Sequence, residues 1–185
     1  EPNADMRYKA LTLLSDYPNF QPIAAPAEHA TLPDKSVNLI TAASAFHWFD
    51  AKAFKKECQR ILASDGHVCL IWNHRQLDNK VNIGFREIFE KYCPNFSGFS
   101  FERQKGHKSM ESFFKGEIVE KCFDNPIQYN QAGFVGWALS ASYAIRPDED
   151  GYEEFIAALT TLFEQNATNG VIHVPHQSVA FLGKV

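Results

Sequence analysis

The first half of the chain alternates between segments with the apolar spacing of a helix and short continuous apolar runs. Residues 6–14 carry apolar side chains at i, i+4, i+7 and i+8 after Asn3, which predicts an amphipathic helix capped by that asparagine. The apolar run at 20–25 predicts a short strand, and the run at 37–41 predicts a buried one.

A second amphipathic helix is predicted after Asp50, whose carboxylate can cap the first turn. Its apolar stripe at i, i+4, i+7 and i+8 consists of Phe54, Cys58, Ile61 and Leu62. Asp65 and Gly66 are predicted to end this helix, because glycine tolerates the left-handed conformation that follows many helices. The next apolar run, Val68 to Trp72, predicts a strand buried on both faces. Helix, strand, helix and strand with short connections are typical of a doubly wound α/β sheet.

The second half of the chain is less regular but still indicates alternating helices and strands. Apolar spacing predicts three helices, over residues 85–92, 134–143 and 152–163. Two strands are predicted, over 118–129 and 171–182. Pro175 interrupts the last of these and favours an edge or a bulge, because proline cannot donate to a strand ladder.

Neither a repeat nor a linker divides the chain, so a single domain over residues 1–185 is predicted. Residues 93–108 form a long loop rich in aromatic side chains. We predict that this loop and its surroundings, residues 76–117, form a substrate-binding or lid insertion, because long loops in compact domains are commonly functional. A surface excursion without a role accounts for the loop equally well.

The segment from Val37 to Asp50 carries the pattern most suggestive of a binding site. After the predicted strand come small residues at 42–45, and then Phe46, His47, Trp48 and Phe49. In an open α/β sheet, ligands bind beyond the carboxyl ends of the strands. Small residues there let a ligand approach the backbone, while the aromatic cluster supplies shape and its histidine a titratable group. We therefore predict that this segment forms one wall of an active site.

Composition narrows the classes of function. The net charge of −4 gives no support to a nucleic-acid partner or an anionic membrane surface. The four cysteines are widely spaced and never form CxxC, which favours reduced thiols in a cytoplasmic protein. His173 and His176 are three residues apart, a spacing that does not place both on one face of a strand, so no metal site is predicted.

Four segments in order resemble the class I S-adenosylmethionine-dependent methyltransferases, most of all the small-molecule branch called type 11. They are EPNADM, Pro26-Ala27-Glu28, LPDKSVNLITAASAFHWFD and DGHVCLIWN. The resemblance covers roughly residues 1–75. It implies a Rossmann-like, doubly wound, mostly parallel sheet with an antiparallel C-terminal strand. It also implies S-adenosylmethionine as cofactor, S-adenosylhomocysteine as product and methyl transfer to a small-molecule acceptor.

Seven residues match positions that hold the cofactor in that family. They are Glu1, Met6, Ala27, Glu28, Thr41, Ala42 and Ala43. The resemblance places Glu1 on the ribose hydroxyls, which suits a carboxylate that can accept two donors at once. It places Met6 near the adenine, and Ala27 and Glu28 at the edge of the adenine ring. The backbone of 41–43 would flank the methionine portion.

The acceptor side of the predicted site has five candidate residues. The resemblance places Phe46, His47 and Trp48 beside the sulfonium and the acceptor. His47 is the candidate general base, since histidine titrates near neutral pH. Asn73 and Arg75 follow a predicted strand and could bind an acceptor carboxylate. Each role has an alternative. The rings of Phe46 and Trp48 could pack under the next helix, and His47 could only shape the site. Asn73 and Arg75 could only cap a loop.

The sequence departs from the family pattern at the first strand and its glycine-rich loop. The first strand and glycine-rich loop of the family would precede Glu1, and no GxGxG occurs in the sequence. We therefore expect that the chain is the C-terminal portion of a longer protein. A sheet without its first strand should need an upstream peptide or a partner chain, such as a second copy in a homodimer. Two other functions remain open: a non-catalytic, methyltransferase-like binding or regulatory protein, and an NAD-dependent oxidoreductase.

Overall fold

A computed structural model describes residues 1–99 and 112–185, and these residues form an α/β protein. The helices are α1 (Ala4–Leu13), α2 (Ala51–Ile61), α3 (Lys80–Tyr92), α4 (Gln131–Leu139) and α5 (Tyr152–Asn166). The strands are β1 (Val37–Ala43), β2 (Leu62–Arg75), β3 (Lys115–Asp124), β4 (Ile127–Tyr129), β5 (Ile172–Val174) and β6 (His176–Lys184). None of the described helices is both long and apolar enough to cross a membrane.

The main sheet has the strand order β1-β2-β6-β3. β1 and β2 run parallel, with Ile40 opposite Val68 and Ala42 opposite Leu70. The predicted Rossmann-like class, with a mostly parallel sheet and an antiparallel strand, is confirmed. Along β2 the even-numbered side chains Val68 and Leu70 are fully buried, whereas their neighbours are half-buried. The prediction of a strand buried on both faces therefore holds completely for one face only.

The described chain divides into two compact units. Unit 1 contains residues 1–71, 112–120 and 180–185, and unit 2 contains 72–99 and 121–179. The prediction of one domain with an insertion at 76–117 is not tested by this division. Of that insertion, residues 100–111 lie outside the described residues, and Lys80–Tyr92 form helix α3.

Unit 2 has its own aromatic core, made by the three helices α3, α4 and α5 and by the antiparallel pair β4–β5. Phe85, Phe89 and Phe155 lie at its centre and are at most 1% exposed. Phe99, from the predicted loop, also belongs to this core at 3% exposure. Burial of several phenylalanines, each removing a large apolar surface from water, accounts for the cohesion of this unit.

Helix α2 ends earlier than predicted. It stops at Ile61, and β2 begins at Leu62 without an intervening turn, so the prediction that Gly66 ends the helix was wrong. Gly66 lies within β2, and a Cβ placed on it would lie 2.8 Å from Leu62 Cδ2 and 3.2 Å from the Asn38 carbonyl oxygen. Close packing within the sheet, not a left-handed cap, is what requires glycine there.

Three other predicted elements also differ from the structure. Residues 20–25 form no strand in the described chain. The strand predicted over 118–129 is two strands, β3 and β4, which end and begin on either side of Asn125 and Pro126. Proline has no N–H to continue a ladder, which explains the break. The helix predicted to reach residue 143 ends at Leu139.

The two predicted helix caps are confirmed, but the first helix is not packed as predicted. The Asn3 side chain accepts the N–H of Met6, and the Asp50 carboxylate accepts those of Lys52 and Ala53. No residue of α1 is buried in the described structure, so its apolar stripe does not enter a core. The sequence periodicity therefore predicted the helix correctly and its burial incorrectly.

Candidate functional site

Unit 1 contains a cavity of about 350 Å³ that runs along β1, from Val37 at its start to Ala43 at its carboxyl end. Its lining consists of Ala27, Ala30, Leu32, Val37, Leu39, Ile40, Thr41, Ala42, Ala43, Ala45, Phe49, Phe54 and Ile61. Thr41 alone among these residues has a polar side chain, and none carries a charge. Such a cavity suits a flat, uncharged group held by shape, with backbone groups providing the polar contacts.

The chain bends sharply at Ser44, directly after the carboxyl end of β1. Ser44 has a φ of +49°, an uncommon left-handed conformation for a residue with a side chain. Its N–H donates to the Ile71 carbonyl oxygen at 2.8 Å, which ties the bend to the neighbouring strand. The 3₁₀ turn Phe46–Trp48 follows directly. Ala43, the last residue of β1, precedes this bend, is exposed and lines the cavity.

Four of the seven predicted cofactor residues line this cavity together: Ala27, Thr41, Ala42 and Ala43. Glu1 and Met6 do not line it. The Glu1 carboxylate accepts the N–H of Asn3 at 2.9 Å and is exposed, and the Met6 side chain is 62% exposed. The roles predicted for Glu1 and Met6 stay predictions.

Glu28 lies in the 3₁₀ turn Ala27–His29, next to the cavity-lining Ala27. Its Oε1 accepts the backbone N–H of Asp50 at 2.9 Å. Asp50 in turn caps α2, and the N–H groups of Ala53 and Lys52 hold the pKa of its carboxyl below the usual value. The predicted adenine reader therefore already fixes the start of α2.

The three acceptor-side residues of the 3₁₀ turn have different environments. Phe46 is 5% exposed, and its ring lies 4.8 Å from that of Phe113 and 6.1 Å from that of Phe54. His47 is exposed, with its ring centroid 5.0 Å from that of Trp48, which is 78% exposed. Phe46 thus packs against other aromatic rings, as its alternative interpretation expects, whereas His47 and Trp48 face solvent.

Asn73 and Arg75 belong to unit 2, at the end of β2. The Asn73 Oδ1 accepts the Ser178 hydroxyl at 2.6 Å. The Arg75 guanidinium carbon lies 4.1 Å from the centroid of the Phe99 ring and 4.6 Å from that of Trp137. Both side chains have structural partners within unit 2, and their predicted acceptor role stays a prediction.

Two residues near the cavity escaped the sequence analysis, Glu57 and Arg60 of α2. Glu57 is 6% exposed and lies three residues after Phe54, on the helix face that the apolar stripe buries. The sequence could have indicated this residue, because Glu57 places a carboxylate at a core position of an amphipathic helix and a buried acid needs a partner. Arg60, three residues further, is that partner.

Residues 1–70 match the family model described as a methyltransferase domain. A protein of Schizosaccharomyces pombe named an uncharacterized methyltransferase is 33% identical over 104 residues, which are 50% of this chain and 41% of that protein. A methyltransferase-like protein of the same yeast is 38% identical over 63 residues, which are 34% of this chain and 25% of that protein. The chain therefore spans less than half the length of the curated relatives it matches.

Solved structures agree on the fold. A protein of Anaeromyxobacter dehalogenans, provisionally named a type II methyltransferase, superposes with a TM-score of 0.69 at 20% identity. The match covers 100% of this chain and 78% of that one. At this identity the likeness concerns the fold alone. The family match and the yeast relatives confirm the resemblance to methyltransferases that the sequence shows.

Proposed function

We propose, from the methyltransferase-domain match of residues 1–70, that the protein transfers a methyl group from S-adenosylmethionine to a small-molecule acceptor. The observation that carries the proposal is the cavity that runs along β1 and reaches its carboxyl end. Ala27, Thr41, Ala42 and Ala43, which the family resemblance assigns to the cofactor, line that one cavity. They come from two segments of the chain about 15 residues apart, and the fold brings them together.

The chemistry of the lining fits the cofactor. Its apolar side chains suit the adenine ring, and the small residues at 42 and 43 leave room for the backbone to contact the methionine portion. The Glu28 turn supplies a carboxylate beside Ala27 for the adenine edge. When bound, the sulfonium supplies an electrophilic methyl group, so the protein mainly has to bind, align and exclude water.

On the acceptor side, the proposal gives His47 the role of general base. Its imidazole is exposed on the turn that follows the cavity-lining strand, where a neutral ring nitrogen can accept the proton of an acceptor hydroxyl or amine. Trp48 beside it provides an exposed aromatic face for the acceptor or the sulfonium. His47→Gln should lower kcat while leaving the Kd for S-adenosylhomocysteine unchanged.

A cytoplasmic location is part of the same proposal. All four cysteines, Cys58, Cys69, Cys93 and Cys122, are free thiols. Burial raises the pKa of the Cys58 thiol to about 12, which keeps it protonated and unreactive. Reduced thiols of this kind are typical of the cytoplasm.

The experiment that tests the function is calorimetric titration of S-adenosylmethionine, S-adenosylhomocysteine and NADH into the full-length gene product, with its intact mass measured on the same sample. We expect both sulfur compounds to bind and NADH not to bind. Ala43→Leu should weaken the binding of S-adenosylhomocysteine, because Ala43 lines the cavity and is exposed enough to accept a larger side chain without unfolding.

Asn38→Leu is the matched control, since Asn38 is exposed on the same strand and does not line the cavity. Binding of NADH alone would support the oxidoreductase alternative. Binding of S-adenosylmethionine without turnover across a panel of small acceptors would support a non-catalytic binding protein. Equal loss of binding in the Ala43 and Asn38 variants would contradict the assignment of the cavity.

A further inference from the structure

Two side chains of α2 hold the loop that precedes β1. The Glu57 Oε1 accepts the backbone N–H of Ala30 at 2.8 Å. The Arg60 Nη1 donates to the Leu32 carbonyl oxygen at 2.8 Å. Both bonds end on the backbone of the loop, and their loop partners are two residues apart. We call Glu57 and Arg60 together the α2 clasp.

The two members of the α2 clasp are also bonded to each other. Arg60 Nε donates to Glu57 Oε2 at 3.0 Å, and Arg60 Nη2 donates to Glu57 Oε1 at 2.7 Å. This fork is the bidentate geometry that orients a guanidinium on a carboxylate. Glu57 is 6% exposed, so its charge depends on these donors. They hold the pKa of its carboxyl below the usual value, the Arg60 bond more than that of Ala30.

Both loop residues held by the clasp, Ala30 and Leu32, line the cavity. Phe54 and Ile61, which lie before and after the clasp on α2, line it too. The clasp thus connects two cavity-lining segments, the loop and the helix, at a fixed distance. Its side chains do not line the cavity, so they act on a ligand only through the wall they hold.

We propose that Glu57 and Arg60 are positioning residues that set the shape of the cavity for the adenosine portion of the cofactor. This inference rests on the proposed function. Sites whose supporting residues allow small displacements lose affinity, because the ligand must then order the wall as it binds. A charge pair with a buried carboxylate and two bonds to the backbone restrains the loop more firmly than apolar contacts alone would.

The test compares the binding of S-adenosylhomocysteine and of methylthioadenosine, which share the adenosine group, to clasp variants of the full-length protein. Arg60→Ala removes the bond to Leu32, the fork to Glu57 and the ion pair in which Nη1 lies 2.6 Å from Asp34 Oδ1. We expect the Kd of both compounds to rise about tenfold. Arg60→Lys keeps the charge but not the fork and should recover only part of the affinity. Equal shifts for both compounds are expected, because the methionine portion is not involved.

A matched pair of variants separates positioning from general stability. Glu57→Gln changes the clasp, whereas Glu90→Gln changes another helix ion pair, Arg86–Glu90, in which Nη1 lies 3.7 Å from Oε1 and Glu90 is 55% exposed. Only the Glu57 variant should weaken binding. Amide hydrogen exchange at Ala30 should accelerate in the same variant, because the amide oxygen of glutamine is a weaker acceptor for its N–H than the charged carboxylate.

The possible outcomes distinguish this inference from the function on which it rests. If the wild-type protein binds neither compound, the proposed function fails and the inference fails with it. If the wild-type protein binds both and Arg60→Ala and Glu57→Gln bind as tightly at a temperature where they are folded, the inference alone is overturned. It is also overturned if each variant, Glu90→Gln included, loses affinity in proportion to its loss of Tm. If Arg60→Ala does not fold, the Arg60→Lys and Glu57→Gln variants decide.

Discussion

The Glu28 carboxylate accepts the backbone N–H of Asp50 at 2.9 Å, although the two residues are 22 positions apart in the sequence. Asp50 is the cap of α2, and Glu28 lies in the turn that contributes Ala27 to the cavity. One carboxylate therefore joins the cavity to the start of the helix below it. Glu28 therefore has a structural role beside the adenine contact predicted for it.

Substitution of Glu28 should separate its structural role from its binding role. Glu28→Ala leaves the Asp50 N–H without its acceptor and should lower the free energy of unfolding by about 1 kcal/mol. Glu28→Gln keeps an amide oxygen at that position and should retain most of the stability. If Glu28 also reads the adenine, both variants should bind S-adenosylhomocysteine more weakly. Thermal unfolding and calorimetry measure the two effects, and a stable Glu28→Gln variant with unchanged affinity would contradict the adenine role.

The aromatic core under the cavity should be the most sensitive part of unit 1. Phe54 and Phe113 stack with ring centroids 5.6 Å apart and planes 10° apart, and they are 4% and 2% exposed. Phe113→Ala should cost about 3–5 kcal/mol, because it removes a buried ring and leaves a void. Phe113→Leu fills much of that void and should cost about 1.5 kcal/mol or less. Urea denaturation with an unchanged m-value checks both, and equal costs for the two variants would argue against a packed site.

Local sequence patterns predicted most of the elements but not the contacts between distant ones. The caps Asn3 and Asp50 and the break at Pro175 depend on neighbouring residues only, and all three agree with the structure. Gly66 was misinterpreted because its constraint comes partly from Asn38 on another strand. The residues next to Gly66 in the sequence therefore do not indicate this constraint.

The candidate site was predictable to the same degree. Thr41, Ala42 and Ala43 follow an apolar run, and their position at a strand end could be inferred from the sequence. The packing of Phe46 on Phe113 could not be predicted in this way, because an aromatic residue after a strand suits both a core and a site. Its substrate-binding role stays a prediction. The α2 clasp depends on a loop about 27 residues from its helix, so its bonds had no local pattern.

Two glycines should respond to alanine with opposite signs. A Cβ on Gly66 would lie 2.8 Å from Leu62 Cδ2 and 3.1 Å from the Ala63 carbonyl oxygen, so Gly66→Ala should destabilise by about 1–3 kcal/mol through overpacking. Gly136 lies in α4 with nothing within 4 Å of the added atom. Gly136→Ala should therefore stabilise by about 0.5–1 kcal/mol, because alanine favours the helix. Chemical denaturation of the two variants provides the comparison, and a neutral Gly66→Ala would show that the strand can relax.

His176 should make stability depend on pH between about 6.5 and the lower pKa it has in the folded protein. It is 4% exposed, and its Nδ1 lies 2.9 Å from the Val174 carbonyl oxygen. Burial lowers its pKa, the bond to Val174 opposes that effect, and the charge of Arg75 adds to the lowering. As the pH falls, His176 therefore takes up a proton in the unfolded chain before it does so in the folded protein. The free energy of unfolding that His176 contributes above its unfolded pKa is lost as the pH falls toward its folded pKa. We expect the Tm to fall less between pH 8 and pH 5 in His176→Gln than in the wild type. His173→Gln is the control, because His173 is exposed on β5 and its removal should leave the wild-type pH dependence unchanged. Identical pH profiles for the wild type and His176→Gln would mean that this buried histidine does not titrate with unfolding.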